Sequence, residues 1–328
     1  MTKCSRLVSA LVCYSCLVIT LVPVTPQVSL TQRKTSEQSS DSLGKPRPIL
    51  LRVAVTDAKG RLIANLKRDA FTVFDRDVAQ NISFFANDDE PCSVGFLIDT
   101  SGSMSKSGPS LSIIKDSILR FIQQGHKSNE YSVLTYADHP DLLIDWTSDA
   151  GLIEDVLNKL ARLRQKGATA VYDACHLGIE KVSTRSNPKH ALILITDGTD
   201  TASRHSYPSL RESLKRSDAI VYAAYTANEP SVLTDFGRES LRELLSYSGG
   251  TGFTVTNKAE MNEAFDFIAR ELRHQYLIGY SPTRVDSDWH SVRIKVNAVD
   301  IAGLPKSNKP HNLSARTRQG YYASEKFR

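Results

Sequence analysis

A chain of 328 residues with 41% hydrophobic content is long enough for one α/β domain and a smaller module. Its 41 basic and 36 acidic residues leave a formal net charge of +5. The basic residues are dispersed rather than gathered into a stripe with interleaved aromatics, which argues against nucleic acid as a partner.

Lys3 and Arg6 precede an apolar run from Leu7 to Val24, the build of a signal peptide. No Ala-x-Ala cleavage site follows, and the run nearly reaches spanning length. An uncleaved amino-terminal anchor is therefore the alternative for residues 1–26. Either reading places the chain outside the cytoplasm, in the periplasm or the extracellular space. Residues 27–48 are rich in Ser, Gln and Thr and read as a linker. Of the cysteines, Cys4, Cys13 and Cys16 lie in the export segment, and only Cys92 and Cys175 lie beyond it. No disulfide is expected between those two. Cys92 falls at the amino end of a buried strand and Cys175 in a helix near the opposite rim, beyond the roughly 7 Å Cα separation that a bridge allows.

Residues 49–90 change character. Leu51, Val53 and Val55 alternate with Arg52, Ala54 and Thr56, Asp57-Ala58-Lys59-Gly60 forms a turn, and Phe71-Thr72-Val73-Phe74 and Ile82-Ser83-Phe84-Phe85 are β-prone. This is the pattern of a small all-β module, too short to bury much core unaided. Over residues 91–274 strands and helices alternate. Leu111, Ile114, Ile118, Phe121 and Ile122 repeat at helical spacing behind Pro109, and Ile153, Val156, Leu157, Leu160 and Leu163 form a second stripe. Helices follow at 170–183, 210–216, 238–247 and 259–273, and strands at 131–136, 191–196, 219–225 and 252–255. Such alternation predicts an α/β fold, a doubly wound, mainly parallel sheet with helices on both faces. Residues 275–328 return to strand-like pieces at Tyr276–Tyr280, Ser291–Val296 and Leu313–Thr317. These are expected to join the amino-terminal strands, so that the two flanks build one small β module. No internal repeat is visible.

The chain is organised around Val94-Gly95-Phe96-Leu97-Ile98-Asp99-Thr100-Ser101-Gly102-Ser103, a buried strand running into a polar loop. In open α/β sheets ligands bind at the carboxyl ends of strands, where the loops diverge. Asp99, Ser101 and Ser103 there offer carboxylate and hydroxyl oxygens, which suit a hard divalent cation such as magnesium. Two later stretches strengthen the pattern. Gly167-Ala168-Thr169 brings a hydroxyl before a helix, and Leu192-Ile193-Leu194-Ile195-Thr196-Asp197-Gly198 is a second buried strand ending in a carboxylate. Asp138 and Asp200 read as solvated loop carboxylates, with a place on the rim of the site as the alternative for either, and the histidines show no ligand spacing.

Asp99-Thr100-Ser101-Gly102-Ser103, Thr169 in its glycine-led loop and Asp197-Gly198 resemble the three pieces of the metal-ion-dependent adhesion site of von Willebrand factor A domains, over about residues 91–273. The flanking Val55-Thr56-Asp57, Phe71-Thr72-Val73-Phe74-Asp75 and Tyr276-Leu277-Ile278-Gly279-Tyr280 with Gly320-Tyr321-Tyr322 resemble a secreted bacterial subfamily of von Willebrand factor A-related proteins. The second glycine usual in the Gly-Gly-Thr loop is Ala168 here. The resemblance implies an ion on the upper rim of the sheet, magnesium with manganese or calcium as alternatives. Ser101 and Ser103 would ligate it directly, Asp99 and Asp197 directly or through water, and Thr169 according to conformation. It implies a binding module, with a partner protein's Asp or Glu carboxylate completing the ion's shell, and no catalytic residues.

Two other readings compete. Phe96-Leu97-Ile98-Asp99-Thr100-Ser101-Gly102 also resembles an aspartic-protease loop, whose chemistry needs a second such carboxylate loop. Asp197 is followed by Gly-Thr, so only a homodimer would supply it. A structural envelope component with an empty site is the third reading. No Gly-x-Ser-x-Gly elbow or phosphate-binding loop occurs.

Overall fold

In a computed structural model the described residues are 48–107, 109–197, 200–225, 235–284, 286–297 and 312–323. The expected export segment, nearly all of the linker and Gly198 lie outside them. All described residues fall in the second of two units into which the chain divides, Pro46–Arg328.

The run that ends at Asp99 is a strand buried along its whole length, Cys92–Asp99. A strand buried on both faces needs apolar side chains at odd and even positions alike. In chain order it is preceded by β1 (Ile49–Asp57), β2 (Phe71–Asp75), β3 (Val78–Gln80) and β4 (Ile82–Ala86), and is itself β5. There follow α1 (Met104–Ser107), α2 (Leu111–Gln124), β6 (Glu130–Tyr136), β7 (Pro140–Thr147), α3 (Ala150–Leu160), α4 (Val171–Ser183) and β8 (Lys189–Thr196). The series continues with α5 (Tyr207–Lys215), β9 (Ile220–Tyr225), α6 (Asp235–Ser248), β10 (Gly252–Thr254) and α7 (Lys258–Arg273). It closes with β11 (Tyr276–Tyr280), β12 (Trp289–Val296), β13 (Leu313–Arg316) and β14 (Gly320–Tyr322).

Six strands form the central sheet in the order β10-β9-β8-β5-β6-β7, all parallel except β7. One face carries Ile114, Ile118 and Phe121 of α2, Ile153 and Leu157 of α3, and Met261 and Phe265 of α7, packed on Val94, Phe96 and Ile98. The other carries α4, α5 and α6 on Leu97, Leu192, Leu194 and Val221. Phe96 is fully buried among Phe121, Tyr131 and Phe265, a burial that stabilises by about 2–3 kcal/mol. Side-chain caps open four of these helices, with Ser110, Asp149, Ser206 and Asn257 accepting from backbone N–H groups of the first turn.

Helix α2 thus begins at its Ser110 cap rather than at Pro109, and α3 ends at Leu160, leaving Leu163 63% exposed. Strand β7 was not expected from the sequence. It runs antiparallel along the sheet edge with Leu142 and Leu143 outward and its register shifted twice, so no clean alternation marks it. Cys92 and Cys175 are buried free thiols, packed on opposite faces of the sheet.

The flanks pair with each other. β1 lies between β11 and β13, and β4 joins β11, giving the order β13-β1-β11-β4. β2 pairs with β12, giving β14-β12-β2-β3. Leu51, Val53, Tyr276 and Ile278 of the first sheet meet Phe71, Val73, Val292 and Ile294 of the second in one core. Inside it His290, 1% exposed, has Nδ1 2.9 Å from Asp75 Oδ1 and Nε2 3.1 Å from Asp286 Oδ1. Asp75 Oδ2 accepts from Tyr280 (3.0 Å) and Tyr321 (2.5 Å) hydroxyls. A second buried group joins the module to the α/β domain: Glu271 of α7 pairs with Arg316 of β13 and accepts from the Tyr222 hydroxyl of β9 at 2.8 Å. No helix among the described residues is long and apolar enough to cross a membrane.

Candidate functional site

From β5 the chain proceeds to β6 on one side, then crosses back to β8 on the other. The order of winding therefore reverses at β5/β8, where a crevice opens above the carboxyl ends. Ile98 stands opposite Ile195, so Asp99, the last residue of β5, and Asp197, just beyond β8, emerge from neighbouring strands at the same rim. Asp99 and Ser101 are fully buried, Asp197 is 2% exposed and Thr169 4%.

The first loop folds back on its own carboxylate. Asp99 Oδ1 accepts the Ser101 N–H at 2.9 Å, Asp99 Oδ2 accepts the Thr196 hydroxyl at 3.0 Å, and Ser101 Oγ lies 3.0 Å from Ser103 Oγ. The second loop is laid against the first by two backbone bonds, Lys166 N–H to Thr100 O and Gly102 N–H to Gly167 O, both 3.1 Å. Gly167 turns that loop at φ +95°, and a Cβ there would meet the Asp138 carboxylate at 2.7 Å. Asp138 in turn accepts the Ala168 N–H at 2.8 Å, so alanine in place of the second glycine leaves the loop anchored. Thr169 is fixed by its backbone: its N–H donates to Thr201 Oγ1 at 2.9 Å and its carbonyl accepts from Thr201 N–H at 2.8 Å and Ala202 N–H at 3.1 Å.

Burial pushes the Asp99 carboxyl up to about 6; the Ser101 and Thr196 hydrogen bonds pull it down, and the neighbouring Asp197 charge adds to the rise. Asp197 Oδ2 is buried and has no hydrogen-bond partner among the described residues. A buried carboxylate oxygen without a donor, beside a second carboxylate, is costly unless a cation compensates it. The surrounding donors are oxygens only, from Ser101, Ser103 and Thr169. This set fits a hard divalent cation and offers nothing to a soft metal.

Sequence reasoning named the five side chains, and Asp138 beside them as a loop carboxylate, but not the contacts that hold them. Thr196, Thr201 and Asp138 act through contacts between loops distant in sequence, and no local signal marks them. Asp200 sits beside the site, with Oδ1 accepting from Tyr172 N–H at 3.3 Å and Ser203 Oγ at 2.5 Å. It fastens a loop to α4, in line with its reading as a loop carboxylate.

Residues 94–199 match the family model of the von Willebrand factor type A domain. Among solved structures, the PilB minor pilin from Streptococcus sanguinis aligns at 14% identity and a TM-score of 0.47, over 56% of this chain and 62% of the pilin. This chain thus spans less than two thirds of that protein's length. The vWF domain of the type V pili tip protein Mfa5 from Porphyromonas gingivalis aligns at 14% identity and a TM-score of 0.45, over 55% of this chain and 94% of that domain. A von Willebrand factor type A protein from Catenulispora acidiphila aligns at 12% identity and a TM-score of 0.47, over 83% of this chain and 74% of its own. No curated protein matches the chain.

Proposed function

We propose that this protein, whose residues 94–199 match the family model of the von Willebrand factor type A domain, is a metal-dependent protein-binding module, exported to the periplasm or the cell exterior. Asp99, Ser101, Ser103, Thr169 and Asp197 would hold magnesium, with manganese or calcium as alternatives. A bound ion supplies a Lewis-acidic position that an Asp or Glu side chain of a partner protein completes. The observation that carries this reading is the buried Asp197 Oδ2 beside Asp99, which has no donor among the described residues.

The division of labour among the residues follows from their chemistry. Asp99 and Asp197 supply the negative charge, and the hydroxyls of Ser101, Ser103 and Thr169 add neutral oxygens, so positive charge is left uncancelled toward solvent. Ser101 N–H and Thr196 hold the Asp99 carboxylate in one orientation. Gly167 and Asp138 keep the Thr169 loop at the rim. No residue is assigned a catalytic role in this reading.

The test is calorimetric titration of the full chain with magnesium, beside Asp197→Asn. Binding in the wild type and at least tenfold weaker binding in the variant are expected. A pull-down from envelope extract in magnesium should then retain a partner that chelator releases. Equal magnesium affinity in both proteins overturns the site.

A further inference from the structure

A cleft of about 740 Å³ opens along the β10 edge of the central sheet, three places from β5 in the strand order, between β10, α6 and the end of β13 with the residues after it. Its floor is the edge strand β10, which among the described residues pairs only with β9 in the sheet. In a parallel ladder alternate residues of a strand turn their peptide groups toward one neighbour. The bonds Ala223 N–H to Thr251 O (3.1 Å) and Val255 N–H to Tyr225 O (2.9 Å) assign Thr251, Phe253 and Val255 to the β9 side. The N–H and C=O groups of Gly252 and Thr254 therefore face outward, and these are the two β10 residues that line the cleft. On the α6 wall stand Leu241 and Leu245, with Arg242 between them. Arg242 is exposed and makes no ion pair among the described residues.

We infer that this cleft binds an extended acidic peptide, which adds a strand to β10 and places a carboxylate on Arg242. A free sheet edge pairs with any extended backbone, and pockets for alternate side chains supply the selectivity. Side chains two apart on such a strand share a face. On the α6 side one of them meets Leu241 and Leu245 and another meets Arg242, so the preferred segment alternates an apolar and an acidic residue on that face. This peptide site shares no residue with the cation site, lies beyond β9 and β8 from Asp99 in the strand order, and needs no ion.

Fluorescence anisotropy of a labelled Thr-Val-Thr-Glu-Thr-Val peptide with the full chain tests the inference, in chelator. Saturable binding is expected. Backbone N-methylation of the peptide, which removes its donors, should weaken binding at least tenfold. Thr254→Pro deletes only an outward N–H, a substitution an edge strand accepts, and should weaken it similarly. Arg242→Glu should reverse the preference toward the same peptide with Lys in place of Glu. Undiminished binding of the N-methylated peptide, or an unchanged charge preference in Arg242→Glu, overturns the inference. Binding that appears only with magnesium assigns the peptide to the Asp99 rim, which overturns this site and leaves the metal-dependent reading standing.

Discussion

Asp99→Asn should make the metal-free protein more stable at neutral pH, not less. Burial raises the Asp99 carboxyl from 3.8 to about 6, the reverse of the usual salt-bridged carboxylate. The folded state therefore holds this proton more tightly than the unfolded chain. Its favourable contribution is complete below about pH 3.8, is lost as pH rises through 6 and stays lost above. The interval corresponds to roughly 3 kcal/mol of instability at pH 7.5. Asparagine keeps an oxygen for the Ser101 N–H, and the Thr196 hydroxyl can rotate toward the amide, so the variant recovers most of that amount. In chelator its melting temperature should exceed the wild type's by several degrees, at about 2–4 °C per kcal/mol for a domain of this size. The gap should close near pH 4. In magnesium the order should invert, since an ion at a thousand times its dissociation constant adds about 4.1 kcal/mol to the wild type and nothing to the variant. A metal-free Asp99→Asn protein less stable than the wild type at pH 7.5 refutes the desolvation argument, and a gap unchanged between pH 7.5 and pH 4 refutes the linkage.

Gly167→Ala forces a side chain onto φ +95° and against Asp138; it should displace the Thr169 loop and weaken magnesium at least tenfold by calorimetry, with far-ultraviolet dichroism unchanged. Arg316→Met leaves Glu271 buried without its cation and should cost about 3–5 kcal/mol in urea unfolding. Because burial already raises the Glu271 carboxyl, that loss should be smaller at pH 5, where the glutamic acid is more readily neutral, than at pH 8. Burial pushes both the Cys92 and the Cys175 thiol up to about 12, so a thiol reagent at pH 8 should label neither until the protein unfolds; rapid labelling of the native chain contradicts their packing.

What the sequence discloses here depends on whether a residue's role is local. Val94 to Asp99 reads as a central strand because both of its faces are apolar, and the structure buries all of it. The flanks read as strands through the alternation of Leu51, Val53 and Val55, and their mutual pairing follows from each lacking a core. β7 escaped because its register shifts break the two-residue period, and Leu163 misled because an apolar residue at helical spacing carries no sign that the helix has already ended. The five candidate ligands stand out in short motifs. The contacts that position them do not: Thr201 meets Thr169 across 32 positions, and His290 meets Asp75 across 215. Such pairs are created by the fold.

The arrangement of β1 has a mechanical consequence. Its residues 49–53 are bonded to β11 and its residues 54–57 to β13, and antiparallel bonds lie across the strand axis. Traction on the chain where it enters at residue 48 pulls β1 lengthwise, so these rungs are loaded in shear and must yield together rather than one after another. β11 follows α7 after only two intervening residues, and α7 is packed against Phe96 and Phe121 beneath the rim. Tension between the amino end and anything gripped above Asp99 therefore runs through β1, β11 and α7, and the short strands β3 and β14 lie off that line.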